Sequence, residues 1–146
     1  MNALHNIGPL AGRLLIAFIF IMAGWNKIGG FEGTVGYIQS VGLPLPTIAA
    51  VVAIIVELGG GLLIAVGYKA RWAAAALALF TLVTAFMFHN FWAVPPEQMQ
   101  MQNIQFMKNL AITGGLLYIL IHGSGPLSLE RGIARESRES RSHAAR

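Results

Sequence analysis

Glu57 stands near the middle of an apolar run, residues 46–67, that is long enough to cross a bilayer. An ionisable side chain at the bilayer centre costs roughly 2.5 kcal/mol or more on insertion scales, so it is expected to face protein and to have a partner. Candidate partners stand in the other apolar runs: Arg13 and Lys27 in an earlier one, and His89, Lys108 and Asn109 near the ends of two later ones. Burial disfavours a charged carboxylate and a neighbouring ammonium favours it, so a Glu beside a Lys can accept and release a proton. A histidine can relay that proton near neutral pH, and lysines can bind an anionic or quinone-like oxygen. This chemistry suits a small polar ligand or a proton-coupled redox partner. The same residues have a plainer use, because buried ion pairs fix helix register and long basic side chains anchor helix ends at the interface.

The elements that must position these residues follow from composition. Of 146 residues 55% are hydrophobic and only 11% charged, against roughly 25% charged in soluble domains, which makes this a membrane protein. Apolar runs at 9–28, 46–67, 70–91 and 107–122 approach the length of a membrane span; the last is short, so it either begins in the interface with residues 104–106 or leaves its Lys108 and His122 ends snorkelling. The runs are continuous rather than alternating, which implies helices instead of a barrel. The expected fold is all-α: residues 1–129 form an integral membrane four-helix transmembrane bundle. The first run is read as a retained helix rather than a signal peptide, since it continues past Ala23-Gly24 without a small-residue cleavage pattern. Lys69 and Arg71 between the second and third runs, and Arg131, Arg135, Arg138, Arg141 and Arg146 in the tail, predict that both termini are cytoplasmic. The tail, 130–146, mixes those arginines with Glu130, Glu136 and Glu139 and has no apolar face, so it is expected to be disordered. A contact with anionic lipid headgroups fits it, whereas nucleic-acid binding does not, because there is no folded basic domain.

Helical spacing gathers charge and small residues onto common faces. Arg13, Ala17, Phe20, Gly24 and Lys27 form one stripe, and Ala49, Ala53, Glu57, Gly61 and Ala65 another. Arg71, Ala78, Ala85 and His89 follow in the third helix, and Lys108, Gly115 and His122 in the fourth. Small residues let membrane helices approach closely, so these stripes are expected to face inward. With both termini cytoplasmic, Lys27, His89, Asn90, Lys108 and Asn109 lie near the outer surface and Glu57 lies deeper, which predicts an outward-facing polar pocket with Glu57 as its floor. Phe31, Val35, Ile38 and Val41 recur at roughly helical spacing and predict a short interfacial helix in the first loop, and Pro95-Pro96 introduces an outer cap. Gly59-Gly60-Gly61 lacks the context of a phosphate loop and reads as close helix packing. Met99, Met101 and Met107 with His89 have the softness copper prefers, but gap-filling methionine is commoner and no metal is expected. The chain has no cysteine, which removes thiolate chemistry and disulfide exchange.

Arg13 followed by Gly24-Trp25-Asn26-Lys27, then Glu57-Leu58-Gly59-Gly60 with Gly67, His89-Asn90-Phe91-Trp92, and Phe106-Met107-Lys108-Asn109-Leu110 together resemble the ordered motifs of the DoxX family. The resemblance covers roughly residues 10 to 130. It implies a small four-helix protein of the bacterial inner membrane, from a family associated with quinone, thiosulfate or oxidative-stress chemistry and often labelled oxidoreductase. No intrinsic cofactor motif is visible, so a redox cofactor is expected to be a quinone or to arrive with a partner. The leading expectation is a pocket that binds a small, quinone-like molecule within a membrane redox or detoxification system. A proton-coupled transporter and a noncatalytic scaffold for a soluble redox partner stand beside it. The small-residue faces also permit a homo-oligomer.

Overall fold

The computed structural model describes residues 3–144, so Arg146 lies outside the described residues. Helix α1 (Ala3–Gly29) is followed by a short α2 (Phe31–Ser40), and then α3 (Pro46–Ile54), a π-helical segment (Ile55–Gly59) and α4 (Gly60–Val66) run on from one another. After α5 (Ala70–Phe88) comes a 3₁₀ turn (Phe91–Ala93), then α6 (Pro96–His122) and α7 (Leu129–Ala144). Among the described residues four stretches are long and apolar enough to span a membrane: His5–Gly29, Pro46–Val66, Ala70–Ala93 and Pro96–His122. The all-α, four-span architecture expected from the apolar runs is present.

Burial follows the logic of a protein solvated by lipid. Leu15, Trp72 and Leu79 expose 71%, 79% and 66% of their surface, whereas Arg13 and Glu57 are buried. In water that distribution would leave a large sticky surface and unpaired interior charge. In hydrocarbon the apolar side chains are already solvated, and helices associate through close packing and interior polar contacts. The core accordingly alternates small and large residues, with Ala17, Ala73, Ala74 and Ala78 beside Phe20, Ile64, Leu77 and Leu116.

Glycines set the closest approaches. A Cβ on Gly24 would lie 2.9 Å from the backbone nitrogen of Leu58, and one on Gly61 would lie 2.9 Å from Ile21 Cγ1. Helix α1 therefore crosses the second span at backbone distance. A Cβ on Gly60 would meet Leu77 at 2.9 Å, which seats the same span against α5.

The bundle closes differently at its two ends. At the end that carries both termini, Gly67 terminates α4 in the left-handed conformation (φ 69°) and lets the chain turn through Lys69 into α5. The buried guanidinium of Arg13 caps this end, with Nη1 donating to the Ser124 carbonyl and Nη2 to that of Leu127 at 2.7 Å. A Cβ on Gly67 would lie 2.5 Å from Ser128 Cβ and 2.8 Å from Arg13 Nη1, so the turn fits only glycine. At the opposite end α2 lies across α3, with Ile38 buried beneath it.

Two boundaries differ from the sequence expectation. Helix α6 starts at Pro96 rather than near residue 104, since a proline in the first turn needs no donor there, Glu97 suits the positive helix terminus, and Gln and Met continue a helix readily. The tail expected to be disordered carries α7. Its start is held by Ser128, whose Oγ accepts from the Arg131 backbone N–H at 3.4 Å, and by a bond from Glu130 N–H to the Gly67 carbonyl at 3.2 Å. A capped start favours helix, and Leu129 and Ile133, one turn apart, give α7 a narrow apolar stripe where the sequence expectation had none.

Candidate functional site

Gly24 and Lys27 stand one turn apart on α1, and Leu58 and Glu57 are neighbours in the second span, so the crossing at Gly24 and Leu58 brings the two charges together. Lys27 Nζ lies 2.7 Å from Glu57 Oε2, with side-chain exposures of 28% and 9%. The carboxylate is thus the buried partner, and the lysine leads from it toward the open end of the bundle. Beyond this ion pair Glu57 Oε2 has no hydrogen bond.

Glu57 is the middle residue of the π-helical segment Ile55–Gly59. A π turn adds a residue to the winding and rotates the side chains that follow it, and such turns recur at functional sites. Gly59 closes the segment and Gly60 and Gly61 follow it, so the irregular turn leads into positions where no side chain has to be placed against α5 or α1.

The ion pair opens on a cavity of about 390 Å³ at the end of the bundle away from the termini. Lys27, Glu57, His89 and Asn109 all line it. Neutral polar groups from Thr34 and Tyr37 on α2 and Thr84 on α5 join them, and Ile38, Phe80 and Phe88 contribute apolar walls. Tyr37 also packs on Phe88 with ring centroids 5.4 Å apart, so α2 and α5 meet over the cavity. His89 ends α5, and its Nδ1 lies 2.9 Å from Gln102 Oε1 on α6. Behind it the H-x-F-W segment is packed on α6 edge to face, with Phe91 and Trp92 centroids 5.5 and 5.7 Å from that of Phe106.

Three of the residues singled out from sequence lie elsewhere. Lys108 is exposed, because the inward face of α6 carries Phe106, Thr113, Leu116 and Ile119, and its neighbour Asn109 turns to the cavity instead. His122 is exposed for the same reason. Arg13 is buried but belongs to the cap at the terminal end, where its two Nη atoms are committed to backbone carbonyls. Shared helical spacing with Lys27 places it on the right face of α1 at the wrong depth.

Tyr37, Thr34, Thr84 and Gln102 had no sequence signal of their own. The periodic Phe31, Val35, Ile38 and Val41 marked α2 as a helix, but nothing local told that it folds over the cavity. Among the described residues no group of three or more His, Cys, Asp or Glu is placed to hold a metal ion.

The arrangement can hold a proton on a carboxylate or an imidazole and offer hydrogen bonds within an otherwise apolar chamber. Its ammonium and carboxylate already balance each other.

The DoxX family profile matches residues 8–90. The chain is 41% identical to the inner membrane protein YqjF of Escherichia coli (strain K12), over 90% of this chain and 95% of that protein. It is 37% identical to the inner membrane protein YphA of the same organism, over 84% of this chain and 87% of the relative. No solved structure matches the chain. The four apolar spans, the profile match over more than half of the sequence and these near full-length relatives place the chain in the DoxX family, as a multi-pass protein of the inner membrane.

Proposed function

We propose that the cavity beside the Lys27–Glu57 ion pair binds a small, uncharged, quinone-like molecule and serves a membrane redox or detoxification system. The observation that carries this reading is a paired charge set in the wall of a mostly apolar chamber at membrane depth. Its size, about 390 Å³, falls in the range of roughly 300–1,000 Å³ typical of small-molecule sites. Because the ammonium and carboxylate neutralise one another, an anion entering the cavity would compete with Glu57 for Lys27. A neutral ring bearing oxygen acceptors would not, and could take hydrogen bonds from Lys27, Tyr37 or Asn109 while its faces lie against Phe80 and Phe88.

Within this reading Lys27 and Asn109 orient the ligand, and Glu57 and His89 hold the protons that a quinone gains or loses on redox cycling. With Nδ1–H donating to Gln102, the Nε2 atom of His89 is left to face the ligand. Electrons come from a partner in the same membrane system.

The test is binding of a short-chain quinone analogue to the purified full-length protein in a mild detergent, by equilibrium dialysis. We expect saturable binding by wild type, weakened about tenfold or more in Glu57→Gln because the lysine loses the group that orients it. Absence of saturable binding by a folded wild-type protein would refute the assignment.

A further inference from the structure

A second cleft, of about 820 Å³, lies at the opposite end of the molecule, between the start of α7 and the end of the second span. Three arginines line it: Arg131, Arg135 and Arg138. They stand at i, i+4 and i+7 of one helix and therefore share a face. Among the described residues no acidic side chain lines the cleft, and Val66, Leu127 and Leu129 add apolar lining to it. The site near Glu57 uses none of these residues.

The cleft's depth is set by its neighbours. Val66 is the last residue of a membrane-spanning stretch, and Leu127 follows closely on His122, the end of another. Both the Arg13 hydrogen bond to the Leu127 carbonyl and the bond from Glu130 N–H to the Gly67 carbonyl tie the base of α7 to the bundle, so the cleft keeps that depth. A cationic face over an apolar wall, at the level where spans emerge from hydrocarbon, has the two-part chemistry of a phospholipid: phosphate outside, glycerol and acyl chains inside. Guanidinium groups suit phosphate because their planar fork donates two parallel hydrogen bonds.

We propose that this cleft is a binding site for an anionic phospholipid of the surrounding bilayer, with Arg131 and Arg138 holding the headgroup phosphate and Val66, Leu127 and Leu129 contacting the glycerol and upper acyl region. Charge complementarity selects the occupant: a zwitterionic lipid carries a cation that the arginines repel.

The test uses the full-length protein in nanodiscs of equal phosphatidylglycerol and phosphatidylcholine, from which it is released and its retained lipids are counted by intact-protein mass spectrometry. Wild type is expected to retain phosphatidylglycerol in clear excess. Replacing both arginines in R131Q/R138Q should reduce that excess on the order of tenfold or more, since each basic residue at an anionic surface is worth several-fold in lipid affinity. R141Q, which removes one tail charge from outside the cleft lining, should retain the wild-type excess. Neither change touches the bundle, so thermal unfolding should stay the same in all three. Equal retention of the two lipids by wild type, or an equal loss in R141Q and R131Q/R138Q, would overturn the site. Displacement of phosphatidylglycerol by millimolar inorganic phosphate alone would also overturn it, since the apolar wall would then contribute nothing.

Discussion

Lys27 and Glu57 are unequal partners: the carboxylate is buried, whereas the ammonium keeps part of its surface open to the cavity. Removing one should therefore cost more than removing both. We expect Lys27→Met to lower stability by about 2 kcal/mol, at the low side of what breaking a buried pair costs because Lys27 is partly solvated. The double variant Lys27→Met/Glu57→Gln should recover much of that loss, and a thermal-unfolding cycle in one detergent checks it. Equal losses in the single and double variants would mean that the pair is not coupled. Gly67 is decisive for a different reason. Its positive φ and its contacts with Ser128 and Arg13 leave no room for a Cβ, so Gly67→Ala should destabilise by about 1–3 kcal/mol without altering ligand binding at the far end. The same thermal unfolding, paired with the dialysis assay, separates the two effects. Glu57 could be read from sequence because a carboxylate in an apolar run is conspicuous. Tyr37 and Thr84 could not, because such residues are common on membrane helices and only the fold brings them to the same cavity.

At the scale of the elements, the crossing of α1 with the second span determines where the charges meet. A side chain at Gly24 must push against the backbone of Leu58. Gly24→Val is therefore expected to part the two helices, lengthen the Lys27–Glu57 contact and weaken quinone-analogue binding, although it changes no polar group. Binding at the wild-type level in a folded Gly24→Val protein would separate the helix crossing from the site. The four spans were legible in the apolar runs, and the inward faces of α1 and of the second span were legible in their small residues. The face of α6 was legible only in part: Gly115 packs against Ile16 of α1, but Lys108 and His122, which share its spacing, are exposed, and Phe106, Thr113, Leu116 and Ile119 supply the buried side chains. The π turn at Ile55–Gly59 also escaped, because its sequence, Ile-Val-Glu-Leu-Gly, continues a helical pattern and the extra residue is a matter of winding. The beginning of α6 was missed because Pro95-Pro96 marks a loop and a helix start equally well.

For the whole molecule, four spans return the chain to the side on which it began, so the terminal cap and the cavity lie at opposite ends. Lys69, Arg71 and the arginines of α7 stand at the terminal end, and from that excess of basic residues we propose that this end faces the cytoplasm. Alkaline phosphatase fused after residue 144 should then be inactive and the same enzyme inserted near residue 94 active, with the reverse pattern contradicting this orientation. The cavity would accordingly open toward the outer face, apart from the arginine cleft on the inner one. The most direct test of the ligand-binding account is mass spectrometry of the small molecules that co-purify with the full-length protein, compared with folded Glu57→Gln. We expect a quinone-like molecule in wild type that is depleted in the variant. Equal amounts in both, or no retained molecule in either, would contradict a ligand site built on the Lys27–Glu57 pair.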